Sequence, residues 1–121
     1  MERWADVGGG LDTWRTLVSA DRTPTRHLTV GVVDVACLPD GVAPEPRHRH
    51  DPAEAYYVIS GEGFVEIGDE ISPVRPGSAA YIPGGCWHRA WSEHAAGMRI
   101  LYAFPVDSFT EFAYEFDTHQ P

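Results

Sequence analysis

The chain has 121 residues and a net charge of −9, long enough for one hydrophobic core and one domain spanning residues 1–121. That charge argues against nucleic acid or an anionic membrane as a partner, since both need a basic footprint. All nine cations are arginine, and without lysine there is no side-chain Schiff base, no ordinary attachment of pyridoxal phosphate and no phosphate-loop lysine.

Ten prolines and twelve glycines cut the chain into short pieces, the punctuation of an all-β protein with few helices. A first strand is predicted over Thr13–Ser19, although Leu11, Trp14 and Val18 would also share one helical face. Asp21–Thr25 reads as a turn around Pro24, and His27–Leu38, rich in Val and Thr, as a half-buried strand. Pro39–Pro46 is a loop. Further strands are predicted at Arg47–His50, Glu54–Ser60, Gly63–Ile67, Ser78–Ile82, Trp87–Ser92 and Met98–Phe104, with turn signals at Gly61–Gly63 and Pro83–Gly85. Phe112, Tyr114 and Phe116 recur at period two and suggest a closing strand. Many short strands at close spacing mean a sandwich or a barrel.

No apolar run approaches the ~20 residues needed to span a bilayer. The opening MERWADVGGGLDTW lacks the basic and apolar regions of a secretory signal, so a cytoplasmic location is expected. In that reducing setting Cys37 and Cys86 read as two buried free thiols rather than a disulfide.

The chemistry concentrates in four residues. His48 and His50 are two apart, and a strand sends such residues to one face. The chain turns through Asp51-Pro52-Ala53 and re-enters a strand at Glu54, which can bring a carboxylate to the same centre. His88 follows a Pro-Gly-Gly turn at the start of a much later strand and can approach from across a barrel. Three imidazoles and one carboxylate suit Fe, Mn, Co, Ni, Cu or Zn better than Mg or Ca, which prefer oxygen shells.

The run Gly41…His48-Arg-His50-Asp-Pro-Ala-Glu54…Gly61 resembles the first motif of the cupins. Gly77…Pro83-Gly-Gly85-Cys-Trp-His88 is similar to the second. The stretch from Gly41 to His48 is one residue longer than is usual in the family, and Ser92 stands where the second motif commonly ends in Asn. The resemblance implies a double-stranded β-helix, a jelly-roll barrel, holding one divalent metal ion through His48, His50, Glu54 and His88. Gly61, Gly77 and Gly85 then mark turns that need a positive φ.

Alternation extends the site. With Glu54 inward, Tyr56 and Val58 point inward too, while Tyr57 and Ile59 face out. With His88 inward, Cys86 and Ala90 share its face, and Trp87, Arg89 and Trp91 take the other. Tyr56 is the acid–base candidate, its alternative being a core tyrosine with a satisfied hydroxyl. Arg47 and Arg49 alternate with the ligand histidines and read as surface charges. The faces of Tyr81, Arg99 and Tyr102 stay open, and His27, His94 and His119 have no partner spacing.

The cupin resemblance implies a wide range of reactions on small organic molecules. An Fe(II)-dependent oxygenase is the expectation. The alternatives are a non-redox lyase, isomerase or cyclase, of the dimethylsulfoniopropionate-lyase or polyketide-cyclase kind, or a ligand-binding barrel with a structural metal. A homodimer is expected, because Trp87, Trp91, Phe112, Tyr114 and Phe116 are too many large rings to fit around a metal pocket and would pair two chains. Family resemblance also implies pairing.

Overall fold

Period-two alternation decides which side of each strand is buried. In Glu54–Gly61 the residues Glu54, Tyr56 and Val58 are buried while Ala55, Tyr57 and Ile59 are exposed. In Met98–Phe104 every second residue from Met98 to Phe104 is buried. The computed structural model describes residues 6–9, 12–21, 23–108 and 112–117, and within them every regular element is a strand. No helix there is long and apolar enough to cross a membrane.

Among the described residues, eleven strands form two antiparallel sheets. They are β1 (Asp6–Gly9), β2 (Asp12–Val18), β3 (Thr29–Val35), β4 (His48–Arg49), β5 (Glu54–Gly61), β6 (Gly63–Ile67), β7 (Glu70–Val74), β8 (Ala79–Ile82), β9 (His88–Trp91), β10 (Met98–Phe104) and β11 (Glu115–Phe116). One sheet runs β1-β2-β3-β10-β5-β8 and the other β11-β4-β9-β6-β7. From β3 onward successive strands alternate between the sheets, apart from the β6–β7 hairpin, and the result is a jelly-roll barrel. Between the sheets lie Val33, Val35, Tyr56, Val58, Val65, Ile82, Met98, Ile100, Tyr102 and Phe104. Ile82 and Ile100 are fully buried, each contributing roughly 1.5–3 kcal/mol of transfer free energy.

The segment open to a helical reading is strand β2, paired with β3 through Trp14↔Val33. The expected strand at His27–Leu38 is trimmed at its start, because His27 sits at φ 61°, outside the extended region. Two strands went unforeseen. β7 carries Pro73 and an exposed Ile71, the marks of a sheet edge, and pairs with β6 alone. β1 is glycine-rich and ends the other sheet. The closing strand is shorter than expected: only Glu115 and Phe116 pair with β4. Gly61, Gly77 and Gly85 all have positive φ, as anticipated. A Cβ on Gly61 would also stand 2.0 Å from the carbonyl oxygen of Gly97, so size and conformation both demand glycine there.

Candidate metal centre

The two sheets meet at the donor cluster. His48 opens β4 and pairs directly with His88, the first residue of β9. His50 lies just beyond β4, and Glu54 is the first residue of β5 in the opposite sheet. The ligand nitrogens of His48, His50 and His88 all lie within 4.8 Å of one another. Glu54 Oε1 is 3.2 Å from Nε2 of His50 and 3.2 Å from Nε2 of His88. His50, Glu54 and His88 are buried, and His48 is partly so.

The turns fix the tautomers. Nδ1 of His50 donates to the carbonyl of Pro52 at 2.8 Å, and Nδ1 of His88 to that of Cys86 at 2.9 Å. A carbonyl only accepts, so Nδ1 carries the proton and Nε2 of the neutral ring is left as a bare lone pair. Nε2 of His88 makes no hydrogen bond among the described residues, although Glu54 Oε1 is close. Burial, then the nearby His88 and His50, push the His48 imidazole down to about 3, so this ring is neutral. With the rings in their neutral form, the lone pairs of three imidazoles and a carboxylate converge on one point. Such a set is unfavourable alone and complete around a cation, and the donors fit a divalent transition metal.

Glycine again builds the approach. Gly85 N–H donates to the carbonyl of His50 at 2.8 Å, tying the turn before His88 to the residue that follows β4. A Cβ on Gly84 would stand 2.2 Å from the carbonyl oxygen of Asp51.

Tyr56 is buried on the face of Glu54, with its ring centroid 6.4 Å from that of His88. Burial first, then the charge of Glu54, holds its phenol well above the usual range. Tyr114 was expected at a dimer contact and lies at the metal centre instead. Its ring centroid is 5.3 Å from His48 and 5.2 Å from His50. Burial and Glu54 raise its phenol as well. Phe112 and Phe104 stand 5.3 Å and 5.1 Å from the His50 ring, so the centre has an aromatic wall. The period-two stripe of Phe112, Tyr114 and Phe116 was the one signal for this, and it does not say what the stripe faces.

Of the other rings in the expected dimer patch, Phe116 is 54% exposed, while the two tryptophans are engaged within the chain. Trp91 stacks on Phe64 at 5.5 Å, and the Arg49 guanidinium lies 4.3 Å over Trp87. Arg47 and Arg49 point away from the histidines, as expected, but they bind the C-terminal segment: Asp117 at 2.7 Å and Glu115 at 2.9 Å. Tyr81 is 68% exposed and Arg99 pairs with Asp34, so neither reaches the centre, while Tyr102 is buried in the core. Cys37 and Cys86 are free thiols, half-buried rather than buried. His27 and His94 are not part of the cluster, and His119 lies outside the described residues.

Comparison with known proteins sharpens this picture. Residues 34–104 match the cupin domain family. A dimethylsulfoniopropionate lyase, DddW, of Ruegeria pomeroyi is 33% identical over 116 residues, covering 91% of this chain and 73% of that protein. An uncharacterized protein of Streptomyces coelicolor is 28% identical over 65% of this chain and 70% of its own length. Among solved structures, oxalate decarboxylase of Bacillus subtilis superposes with a TM-score of 0.73 at 24% identity over 89% of this chain. This chain spans only 29% of that one. An RmlC-like cupin from Shewanella frigidimarina gives 0.69 at 17% identity, covering 90% of this chain and 88% of its own. At such identities the structural likeness concerns the fold.

Proposed function

The chain belongs to the cupin domain family, and we propose that it is a metal-dependent lyase cleaving a small sulfonium carboxylate of the dimethylsulfoniopropionate kind. His48, His50, Glu54 and His88 would hold the ion, one per chain. Their donors suit Fe(II), Mn, Co, Ni, Cu or Zn. When bound, the ion supplies a positive centre that can take up a carboxylate and stabilise charge developing on it.

The observation that carries the reading is the aromatic wall beside the donor cluster, taken with the lyase relative. A sulfonium cation is well met by π faces, and the partly buried Phe112 and Tyr114 would offer them next to His50. Elimination from such a substrate removes a proton from the carbon beside the carboxylate. The electrons form the carbon–carbon double bond, the carbon–sulfur bond breaks, and dimethyl sulfide leaves with acrylate. Tyr56 Oη and Tyr114 Oη are the two groups available to take that proton. Each must first lose its own, and the chain alone holds both phenols protonated, so the base works only beside a cation.

The Fe(II) oxygenase expected from the sequence stands behind this, since the same donors would serve iron but no observation favours O₂ over elimination. We propose as well that the chain acts as a homodimer, through the outer face of the larger sheet. There Tyr57, Ile59 and Tyr81 are exposed on the adjacent strands β5 and β8.

The test is anaerobic incubation of Fe(II)-, Mn(II)- or Co(II)-loaded protein with dimethylsulfoniopropionate, with headspace dimethyl sulfide measured by gas chromatography. Release without O₂ is expected, falling about 10²-fold or more in Tyr56→Phe or Tyr114→Phe at unchanged metal content. No dimethyl sulfide with any of these ions would overturn the lyase reading, and turnover only with O₂ would restore the oxygenase.

A further inference from the structure

Strand β4 has two faces with two different uses. His48 points to the donor cluster, while Arg47 and Arg49 leave on the other side and bind the C-terminal segment. Arg47 Nη2 donates to Asp117 Oδ2 at 2.7 Å. Arg49 donates through Nε and Nη2 to the two oxygens of Glu115, at 3.0 and 2.9 Å, in the parallel fork that fixes both groups in one plane. The backbone contribution is small: β11 and β4 share two residue pairs, and Asp117 N–H donates to the carbonyl of Arg47 at 2.8 Å. A ladder that short does not hold by itself.

In the same segment, Tyr114 sits against His48 and His50. We propose that the pairs Arg47–Asp117 and Arg49–Glu115 form a latch that positions Tyr114 over the donor cluster. The four charged residues are thus positioning residues. Trp87 supports the arrangement from below, its ring 4.3 Å from the Arg49 guanidinium, and Glu66 Oε2 lies 3.9 Å from Arg47 Nη1 on the barrel side. The latch holds from outside what the aromatic ring covers inside. It rests on the metal-site reading and not on lyase chemistry.

A partly exposed ion-pair latch weakens with salt, because the screening length falls from about 10 Å at 0.1 M to about 3 Å at 1 M. Two measurements on the full chain test it: amide hydrogen exchange of the peptide containing residues 112–117, and stopped-flow loss of bound Co²⁺ to EDTA. The Glu115→Gln/Asp117→Asn double variant should exchange faster in that peptide and lose Co²⁺ about three- to tenfold faster, as expected for two such pairs acting together. Its melting temperature and Co²⁺ stoichiometry should match the parent. Salt at 1 M should speed the parent but not the double variant, and the Arg49→Glu/Glu115→Arg swap should recover much of the loss. With Tyr114→Ala in the background, the latch substitutions should no longer alter Co²⁺ loss. Unchanged exchange and Co²⁺ loss in the double variant overturn the latch. An undiminished effect of the latch substitutions in Tyr114→Ala overturns its action through Tyr114. A chain that holds no Co²⁺ defeats the metal-site reading separately, and the exchange rate then decides the latch.

Discussion

Substituting Glu54 by Gln should move the stability of the metal-free and metal-loaded protein in opposite directions. Glu54 is 2% exposed, with Oε1 3.2 Å from two Nε2 atoms whose rings already donate through Nδ1. Without a cation, a carboxylate there has lost water and gained lone pairs as neighbours. An effective penalty of several kcal/mol attaches to a buried charge lacking its partner. The amide keeps the shape and removes the charge, so metal-free Glu54→Gln should gain about 1–3 kcal/mol. For a chain of 121 residues each kcal/mol is worth roughly 3–5 °C in melting temperature. A metal at a thousandfold excess over its Kd adds about 4 kcal/mol to the parent. Loss of the anionic donor, at ten- to hundredfold in affinity, removes about 1.4–2.8 kcal/mol of that gain. Calorimetry at pH 8 with chelator and then with Co²⁺ or Ni²⁺ should therefore show a higher metal-free melting temperature and a smaller metal-induced rise. A lower metal-free melting temperature with the full rise retained would mean that Glu54 is a structural partner of protonated histidine and not a ligand.

Asp12 offers a pH test away from the centre. Burial pushes its carboxyl up to about 6, against the lowering effect of a hydrogen bond from Ala36 N–H at 3.3 Å. The folded state therefore holds the proton more tightly than the unfolded chain, and stability falls as pH rises from about 4 through 6. Asp12→Asn should raise the melting temperature at pH 7.5, by an amount near 1 kcal/mol after screening, and leave it unchanged at pH 3.5. An equal effect at both pH values would refute the burial argument. For assembly, Tyr57→Glu/Tyr81→Glu should convert a dimer to a monomer in light scattering, because it puts charge on the exposed sheet face. A monomeric parent, or a dimer untouched by the substitution, would reject that surface.

How much of this was legible in the sequence follows from how local each signal is. His48, His50 and Glu54 sit within seven positions of one another, and a strand, a turn and a second strand are enough to bring them together. The inward set Glu54, Tyr56 and Val58 was readable by counting in twos, and so was the outward set Tyr57 and Ile59. Strand β7 was not, because its exposed Ile71 and its Pro73 give an edge strand almost no apolar periodicity. Tyr114 was visible as a period-two aromatic, but its true neighbour is His48, and no local rule says that residue 114 returns to residue 48. Phe112 and Tyr114 stand beside the histidines, and Trp91 and Trp87 have partners in Phe64 and Arg49, while Phe116 remains 54% exposed.

The same distinction explains why such short motifs can carry a metal site. Each Nδ1 is anchored two residues away in sequence, His50 on Pro52 and His88 on Cys86, so the tautomer and ring direction are set inside the turn that delivers the ring. Spacing is then chemistry: one residue more between Cys86 and His88 would turn the imidazole to the other face and cut its anchor. Cover for the site has no such local code. It is assembled from Arg47 and Arg49, placed outward by the very alternation that sends His48 inward, and from carboxylates on a segment more than sixty residues away. Because β4 bears both His48 and Arg49, with Arg47 just before it, a shift of β4 that moved the His48 imidazole would also move the two arginines proposed to position Tyr114.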